Sequence, residues 1–498
     1  MTNGSDHPLM VTLSGIRGIA NESFTPPVIR KFVAGFLRLI TSSPLSESIT
    51  HPDIIVVGRD SRVSGAELSA VVIDEVQRAG FTVIDIGIVP TPTVQYTVLN
   101  KGLAGGIVLT ASHNPREWNG LKFVDSDALF VTPTRTQTLI DLSVGPTESA
   151  YELKSSSPVE KFDAIQDHID GIVKLPYIAP LVEEIRAKKY KVAFDPVCGA
   201  GGEAISRILS YYGVEVIGIN LEETGEFPHT PEPIPDNLHD LSEHIRSNHV
   251  AFGVAVDPDV DRCVLADEQG NIITEELTQV IAADFLLSSG FQTPSVITNL
   301  SSSNALSTLC KRHGVPVYRS AVGEANVAAK MVSLGSRLGG EGNGGVLLAD
   351  SHIGRDALVA SSLTLCWYHL KQQAFSSAVS SLPQPSMCKL KADLSSYKGD
   401  LSKLLENIAL EGRRNPNISL VTVQDGVRLD WSSGHWVHIR PSNTEPIVRI
   451  IAEDPQGQLF ANSLANTYRK LIENYSDEAK SHADESSGNV PDLVSISF

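Results

Sequence analysis

Apolar positions along the first 155 residues alternate between two periods. Val28, Ile29, Phe32, Val33, Phe36, Leu37 and Ile40 recur at helical spacing on one face. Thr25 followed by Pro26 and Pro27 supplies an N-cap and proline in the first turn. Ile54–Val57 is a short continuous apolar run and predicts a buried strand. Ser64 with Glu67 has the spacing of a capping box ahead of a helix over Leu68–Ala79, and Val83–Ile88 predicts the next strand. Gly106–Thr110 and Leu121–Val124 are apolar and β-prone, so the residues between them form a loop, and that loop contains Ser112.

The alternation then repeats. Polar, serine-rich Lys154–Pro158 marks a boundary. Val192–Phe194, Gly201–Tyr212 and Val214–Ile219 predict strand, helix and strand; a proline-rich loop from Phe227 to Asp236, a helix, and the strand Gly253–Val256 follow. Val264–Ala266, Glu276–Leu287, Val296–Thr298, Asn304–His313 and Val315–Arg319 make a third series. Such successive βα units imply parallel or mixed sheets covered by helices. Ser380–Pro385 reads as a linker. Strands near Val421–Val423, Val437–Ile439 and Ile447–Ile451 and a helix from Leu459 to Tyr475 complete the chain, with a polar tail from Ser476. The expected domains are 1–155, 156–256, 257–380 and 385–480, with 481–498 as tail.

Composition narrows the class. A chain of 498 residues exceeds one core, and 42% apolar with 20% charged residues fits a soluble globular protein. A net charge of −18 argues against a nucleic-acid-binding face but not against anionic small molecules, since local arginines override the global sign. Cys198, Cys263, Cys310, Cys366 and Cys388 show no CxxC spacing, which suits a reducing compartment and offers no zinc site. No stretch reaches the ~18 apolar residues of a membrane span, and Met1–Gly15 has no leader-like pattern, so a cytoplasmic location is expected.

Four segments carry candidate chemistry. Thr110-Ala111-Ser112-His113-Asn114-Pro115 presents a loop serine. Without Gly-x-Ser-x-Gly it is not a hydrolase elbow; it is either an ordinary turn serine or one that carries a phosphoryl group. In Asp257-Pro258-Asp259-Val260-Asp261-Arg262, three carboxylates at i, i+2 and i+4 can converge on a hard divalent cation. Glu268 falls at position 12 of an EF-hand loop, but Arg262 stands where that loop needs glycine, Pro258 breaks its start, and a strand precedes it. Gly340-Glu341-Gly342-Asn343-Gly344-Gly345 formally matches a dinucleotide fingerprint, yet no helix opens after it. A tight turn presenting Glu341 and Asn343 to vicinal hydroxyls fits better. Arg440-Pro441-Ser442-Asn443-Thr444-Glu445-Pro446, with Arg449, offers a phosphate cradle that is also a β-turn. Ser14-Gly15-Ile16-Arg17-Gly18 places Arg17 on a flexible loop, and Lys122 lies on the strand returning from the Ser112 loop. Spacing does not choose between Lys122 and His113 as general acid/base.

In this order the motifs resemble the α-D-phosphohexomutase family across nearly the whole chain. The resemblance implies an α/β fold: three related α/β domains plus a smaller C-terminal α+β domain around a central cleft. It implies a mutase that moves phosphate between the 1- and 6-positions of a hexose, with Ser112 as phosphoserine. Ser112, Asp257, Asp259 and Asp261 would hold Mg²⁺, and a sugar 1,6-bisphosphate would be intermediate and activator. Glu341 and Asn343 would hold ring hydroxyls. Arg440, Ser442, Asn443, Thr444 and Arg449 would grip the non-reacting phosphate, and Arg17, Arg262, His113 and Lys122 would surround the reacting one. The familiar sugar-loop pattern ends in histidine where Gly345 stands here, which increases the weight on Lys122 and His113. Together with His352-x-Gly354-Arg355-Asp356, this form resembles a branch of phosphoglucosamine mutases and phosphomannomutase/phosphoglucomutases. Glucosamine 6-phosphate is the expected substrate, with broader hexose specificity the alternative. A monomer or homodimer acting on a phosphosugar, with no nucleic-acid or membrane partner, is expected. A phosphosugar-binding regulator would have a defective serine or metal loop, and a phosphatase would release free phosphate instead of an isomer.

Overall fold

The computed structural model describes residues 9–12, 15–42, 49–144, 159–160, 162–394, 399–442 and 447–474. Ser14, the Lys154–Pro158 segment, Asn443, Thr444 and the tail lie outside the described residues. The chain divides into two compact units. The first contains Met1–Thr298, Leu309–Tyr318 and Gly323–Leu382; the second contains Asn299–Thr308, Arg319–Val322 and Pro383–Phe498.

In the first unit a seven-stranded mixed sheet runs in the order Met10–Thr12, Gly15–Ile19, Trp118–Val124, Leu103–Leu109, His51–Arg59, Thr82–Ile88, Val159–Glu160. Leu103–Leu109, His51–Arg59, Thr82–Ile88 and Val159–Glu160 pair in parallel, and the pairings toward the Met10 edge are antiparallel. The helix Pro26–Ser42 forms where the helical spacing predicts it and buries Phe32, Val33, Phe36 and Leu37 on this sheet. The capping box does not form. The Ser64 hydroxyl accepts a hydrogen bond from Asn119 Nδ2 (2.9 Å) and makes no cap bond to the helix Gly65–Arg78. A tertiary donor has won over the local one. Arg17 likewise sits in a strand, not on a flexible loop: Gly15–Ile19 pairs on both sides, with Arg17 opposite Gly120.

A second sheet has the order Cys263–Ala266, Phe252–Val256, Lys191–Asp195, Glu215–Gly218. The first two strands pair as an antiparallel hairpin, Gly253 opposite Ala266 and Val256 opposite Cys263. The expected domain boundary between 256 and 257 cuts this hairpin at its turn, so Asp257–Arg262 belongs to the second sheet and does not start a third domain. An apolar run followed by acids reads as a strand end in sequence; the return strand that closes the hairpin is visible only in the pairing. A five-stranded sheet then includes the antiparallel run Leu338–Glu341, Gly345–Leu348, His352–Arg355, so Gly342–Gly344 form a hairpin turn.

The helix Ala357–Lys371 is apolar nearly all round and buried. Asp356 caps it, Oδ1 accepting from the N–H groups of Leu358 and Val359 (2.8 and 3.2 Å). The other oxygen, Oδ2, meets His168 Nε2 at 3.0 Å and His352 Nε2 at 3.2 Å. Burial alone would raise this carboxyl; the two imidazoles outweigh it and hold it below the usual range.

Asp195 anchors the proline-rich loop. Its Oδ1 accepts from Val197 N–H and Asn220 Nδ2, and its Oδ2 meets His229 Nε2 at 3.0 Å. Burial pulls the His229 pKa down, but the Asp195 carboxylate outweighs it and raises the imidazole above its ordinary value. A raised folded-state pKa gives stability that is fully present below the unfolded value of ~6.5 and is lost as pH rises through the folded value. His229→Gln is therefore expected to cost ~1 kcal/mol more at about pH 5.5 than at about pH 9, read from urea midpoints. An equal cost at both would mean that the ring does not titrate in this contact.

The second unit carries an antiparallel sheet in the order Met387–Asp393, Ile447–Glu453, Trp436–Pro441, Val427–Trp431, Ile418–Thr422. The helices Leu401–Arg414 and Gln458–Glu473 cover one face through Leu404, Ile408, Leu464, Tyr468 and Ile472, packed on Val437, Ile439, Val448 and Ile450.

Candidate functional site

The Ser112 loop joins the strands Leu103–Leu109 and Trp118–Val124, as the sequence predicts. Ser112 is buried and left-handed, with φ of 52°. A non-glycine residue in that region is held there by its surroundings. The holder is Arg62, itself buried. Its guanidinium donates to the carbonyls of Ser112 (2.6 Å), Asn114 (2.7 Å), Trp118 (2.9 Å) and Pro115. Asp60 fixes Arg62 through Nε (3.0 Å) and also accepts from Thr110 Oγ1 (2.7 Å), which in turn accepts the Ser112 N–H. Sequence reasoning missed this pair. Its signal was Asp60-Ser61-Arg62, two opposite charges directly after a buried strand.

The acidic loop is brought against this serine. Ser112 Oγ donates to Asp257 Oδ2 at 3.2 Å and lies 3.3 Å from His113 Nδ1. The loop backbone is tied to the first turns of three helices: Thr91 N–H donates to Asp259 O (2.9 Å), Ala200 N–H to Pro258 O (2.8 Å) and Ala357 N–H to Val260 O (3.2 Å). Helix N-termini favour negative charge. Val260 has φ of 62°, a strained value for a β-branched residue, and Asp257 Oδ1 accepts the N–H groups of Asp261 and Arg262 across the turn.

The three carboxylates divide their oxygens. Asp259 Oδ2 accepts from Lys122 Nζ (2.6 Å) and Thr91 Oγ1 (2.8 Å); Asp261 Oδ2 accepts from Lys122 Nζ (3.2 Å) and Arg355 Nη2 (2.7 Å). Asp259 Oδ1 and Asp261 Oδ1 are buried without a hydrogen-bond partner among the described residues. One oxygen from each aspartate lies within 4.8 Å of the others. Three buried carboxylates, two of them (Asp259 and Asp261) with one oxygen clamped by a cation and the other without a hydrogen bond among the described residues, and the third (Asp257) facing Ser112, fit a hard divalent cation.

The electrostatics follow from burial and neighbours. Burial, then Asp261 and Asp259, push the Asp257 carboxyl well above its usual value. Burial acts the same way on Asp259 and Asp261, but Lys122 holds Asp259 and Arg355 holds Asp261 below the usual range. Lys122 loses to burial and gains more from its two aspartates, so its pKa is raised. His113 is pushed well down by burial, then by Arg262 and Arg17. Arg262 Nη2 lies 3.1 Å from His113 Nδ1, and Arg17 Nη1 donates to Asn114 Oδ1 (3.0 Å). Arg17 Nε and Arg262 Nε are buried with no hydrogen-bond partner among the described residues. Two arginines therefore converge on the serine loop.

Glu341 is buried on the hairpin turn. Its Oε1 accepts Gly323 N–H (2.9 Å) and its Oε2 accepts Arg355 Nη1 (3.0 Å). A Cβ at Gly342 would lie 2.1 Å from a Glu276 carboxylate oxygen, so a larger residue there would have to displace that carboxylate. Asn343 is half-buried and accepts Gly345 N–H through Oδ1 (3.2 Å). In the second unit, Arg440 and Arg449 are direct cross-strand partners and Lys391 is opposite Arg449, so three cations form a row across three strands. Asp425 lies 3.3 Å from Arg440. Like charges facing across strands cost stability unless an anion joins them. Ser442 N–H donates to Ile447 O (2.9 Å).

Comparison with known proteins agrees with this arrangement. Four consecutive family models match: phosphoglucomutase/phosphomannomutase α/β/α domain I at residues 10–145, domain II at 166–270, domain III at 275–386 and the C-terminal domain at 392–468. A phosphoglucomutase/phosphomannomutase of Thermococcus kodakarensis is 32% identical over 88% of this chain and 93% of its own. A phosphoglucosamine/phosphogalactosamine mutase of Sulfurisphaera tokodaii is 28% identical over 92% of this chain and 98% of its own. A crystal structure of a phosphoglucomutase/phosphomannomutase family protein from Burkholderia thailandensis superposes with a TM-score of 0.74 at 24% identity, over 93% of this chain and 98% of that one. Among the described residues no helix is long and apolar enough to cross a membrane. With all four domain models matched in order and a serine facing three aspartates, the chain belongs to the phosphoglucomutase/phosphomannomutase family of α-D-phosphohexomutases.

Proposed function

We propose that this phosphohexomutase interconverts glucosamine 6-phosphate and glucosamine 1-phosphate through phospho-Ser112 and a 1,6-bisphosphate. The observation that carries the reading is the buried Ser112 hydroxyl 3.2 Å from Asp257, beside two aspartates that each keep one oxygen without a hydrogen bond among the described residues. Ser112, Asp257, Asp259 and Asp261 would hold Mg²⁺, which supplies neutralisation of charge on the transferring phosphoryl group. Phospho-Ser112 gives its phosphoryl group to the free hydroxyl of the bound sugar phosphate: the P–Oγ bond breaks, a P–O bond to the sugar forms, and the hydroxyl proton passes to His113, or to Lys122 once that side chain has given up the proton it shares with Asp259 and Asp261. Arg17 and Arg262 bind the oxygens of the reacting phosphate. After the bisphosphate reorients, its other phosphate returns to Ser112. Glu341 and Asn343 hold ring hydroxyls, and Arg440, Ser442, Asn443, Thr444 and Arg449 hold the phosphate that is not reacting. The sugar bisphosphate primes the enzyme. Five free cysteines support a reducing, cytoplasmic setting.

A relative named for phosphoglucosamine and phosphogalactosamine favours the amino sugar. Broader hexose specificity is favoured by the relative named phosphoglucomutase/phosphomannomutase and by Arg355, which already offsets the Glu341 charge that would attract an ammonium. The test is isomerisation with Mg²⁺ and a trace of 1,6-bisphosphate on glucosamine, mannose and glucose 6-phosphates in parallel. The expected result is the highest kcat/KM for glucosamine 6-phosphate. Equal or higher values for the other two would replace the amino-sugar assignment with a broad hexose mutase.

A further inference from the structure

Arg355 joins the acidic loop to the hairpin turn by direct contact with both Asp261 and Glu341. From the strand His352–Arg355 its guanidinium reaches three carboxylates: Asp261 Oδ2 at 2.7 Å, Glu341 Oε2 at 3.0 Å and Glu324 Oε2 at 3.2 Å. Glu324 also accepts the Arg355 backbone N–H, so the residue is fixed at both ends. Its side chain is 11% exposed, and a guanidinium carries its charge at any working pH.

The path of the stem is as specific as its contacts. Gly345 is the cross-strand partner of Glu341. A Cβ on Gly345 would lie 2.3 Å from Arg355 Cδ and 2.8 Å from Cγ. The missing side chain at 345 is thus the channel through which Arg355 reaches Asp261 and Glu341. Those methylenes cannot swing away, because the guanidinium beyond them is held by three carboxylates. The forked donors hold Asp261 Oδ2 aside and leave Asp261 Oδ1 without a hydrogen-bond partner among the described residues.

We propose that Arg355 is a positioning residue that couples cation binding at Asp261 to sugar binding at Glu341, with Gly345 as the gap that lets its stem pass. The inference rests on the proposed roles of those two carboxylates. One planar cation shared between them transmits any change: a cation drawing on Asp261 alters the hold on Glu341, and a sugar drawing on Glu341 alters the hold on Asp261. Such coupling is reciprocal in binding free energy. Lysine keeps the charge but cannot span three carboxylates with a fork.

The test is Mn²⁺ binding by electron paramagnetic resonance, without bisphosphate so that no turnover occurs, in the presence and absence of glucosamine 6-phosphate and glucose 6-phosphate. In the wild-type protein the bound sugar is expected to shift the Mn²⁺ Kd by about fivefold or more. In Arg355→Lys that shift falls to within about twofold, and the Kd without sugar rises roughly tenfold. Gly345→Ala, which keeps Arg355 and its charge, is expected to do the same by displacing the stem, and the double variant adds nothing further. A thermal melt of each protein separates this from a structural role, which would lower the melting temperature but leave the sugar-induced shift in place. A wild-type protein that shows no shift, or an Arg355→Lys protein that retains it, overturns the coupling. Mn²⁺ binding that is absent, or unchanged in Asp261→Asn, instead overturns the metal-site reading on which the coupling stands.

Discussion

Ser112→Ala is expected to lower kcat by about 10⁴-fold or more while the protein stays folded. In the proposed mechanism this hydroxyl carries the phosphoryl between the two halves of the reaction, and it faces Asp257 at 3.2 Å. Alanine removes one oxygen from a loop whose shape depends on other contacts: the carbonyls of Ser112 and Asn114 held by Arg62, and the Ser112 N–H held by Thr110. Urea unfolding should therefore shift by less than ~1 kcal/mol. Intact-mass spectrometry after incubation with the bisphosphate gives an independent readout. The wild-type chain should gain one phosphoryl mass and the variant none. Full turnover by the alanine variant would remove Ser112 from the chemistry.

Arg62→Met is expected to have the largest effect on stability, about 3–5 kcal/mol, together with near-complete loss of isomerisation. Arg62 is buried, and a methionine could pack on Phe227 in its place but could not replace its hydrogen bonds. Its loss leaves Asp60 charged in the core and releases the carbonyls of Ser112, Asn114, Pro115 and Trp118. With them goes the restraint on the left-handed Ser112. The paired variant Asp60→Asn, Arg62→Met should recover part of the stability, since it removes the orphaned charge, but not the activity, since the loop is still unheld. Recovery of activity in the double variant would mean that the loop holds its shape without Arg62.

Local sequence carried much of this architecture. The helix Pro26–Ser42 is where an N-cap, two prolines and a seven-residue apolar stripe predict it. The strands on either side of Ser112 follow from two apolar runs with a polar interval. Asp257, Asp259 and Asp261 could be picked out because three acids at alternate positions after a buried strand are costly without a cation. The capping box failed because Ser64 had a second possible partner, Asn119, fifty-five positions away, and spacing along the chain cannot rank a local donor against a distant one. The 256/257 boundary failed for the same reason: the hairpin that carries the acids is defined by which strand returns to pair with it.

What the sequence determined by itself was the inventory: the serine, the three aspartates, the glycine-rich turn, the arginines, and the alternation of helix and strand that carries them. Those features depend on residue type and on periods of two and 3.6, which are local properties of a chain. Only the tertiary structure decided how the inventory is wired. Arg62 is one basic residue among forty Lys and Arg until its guanidinium is seen inside the Ser112 loop. Gly345 is one small residue in a glycine-rich stretch until the Arg355 stem is seen passing where its Cβ would be. The division of Asp259 and Asp261 into one clamped oxygen and one without a hydrogen bond among the described residues arises from Lys122, Thr91 and Arg355 converging from three separate segments. Burial in a low-dielectric interior makes those contacts strong, and burial is a property of the packed molecule rather than of any stretch of its sequence.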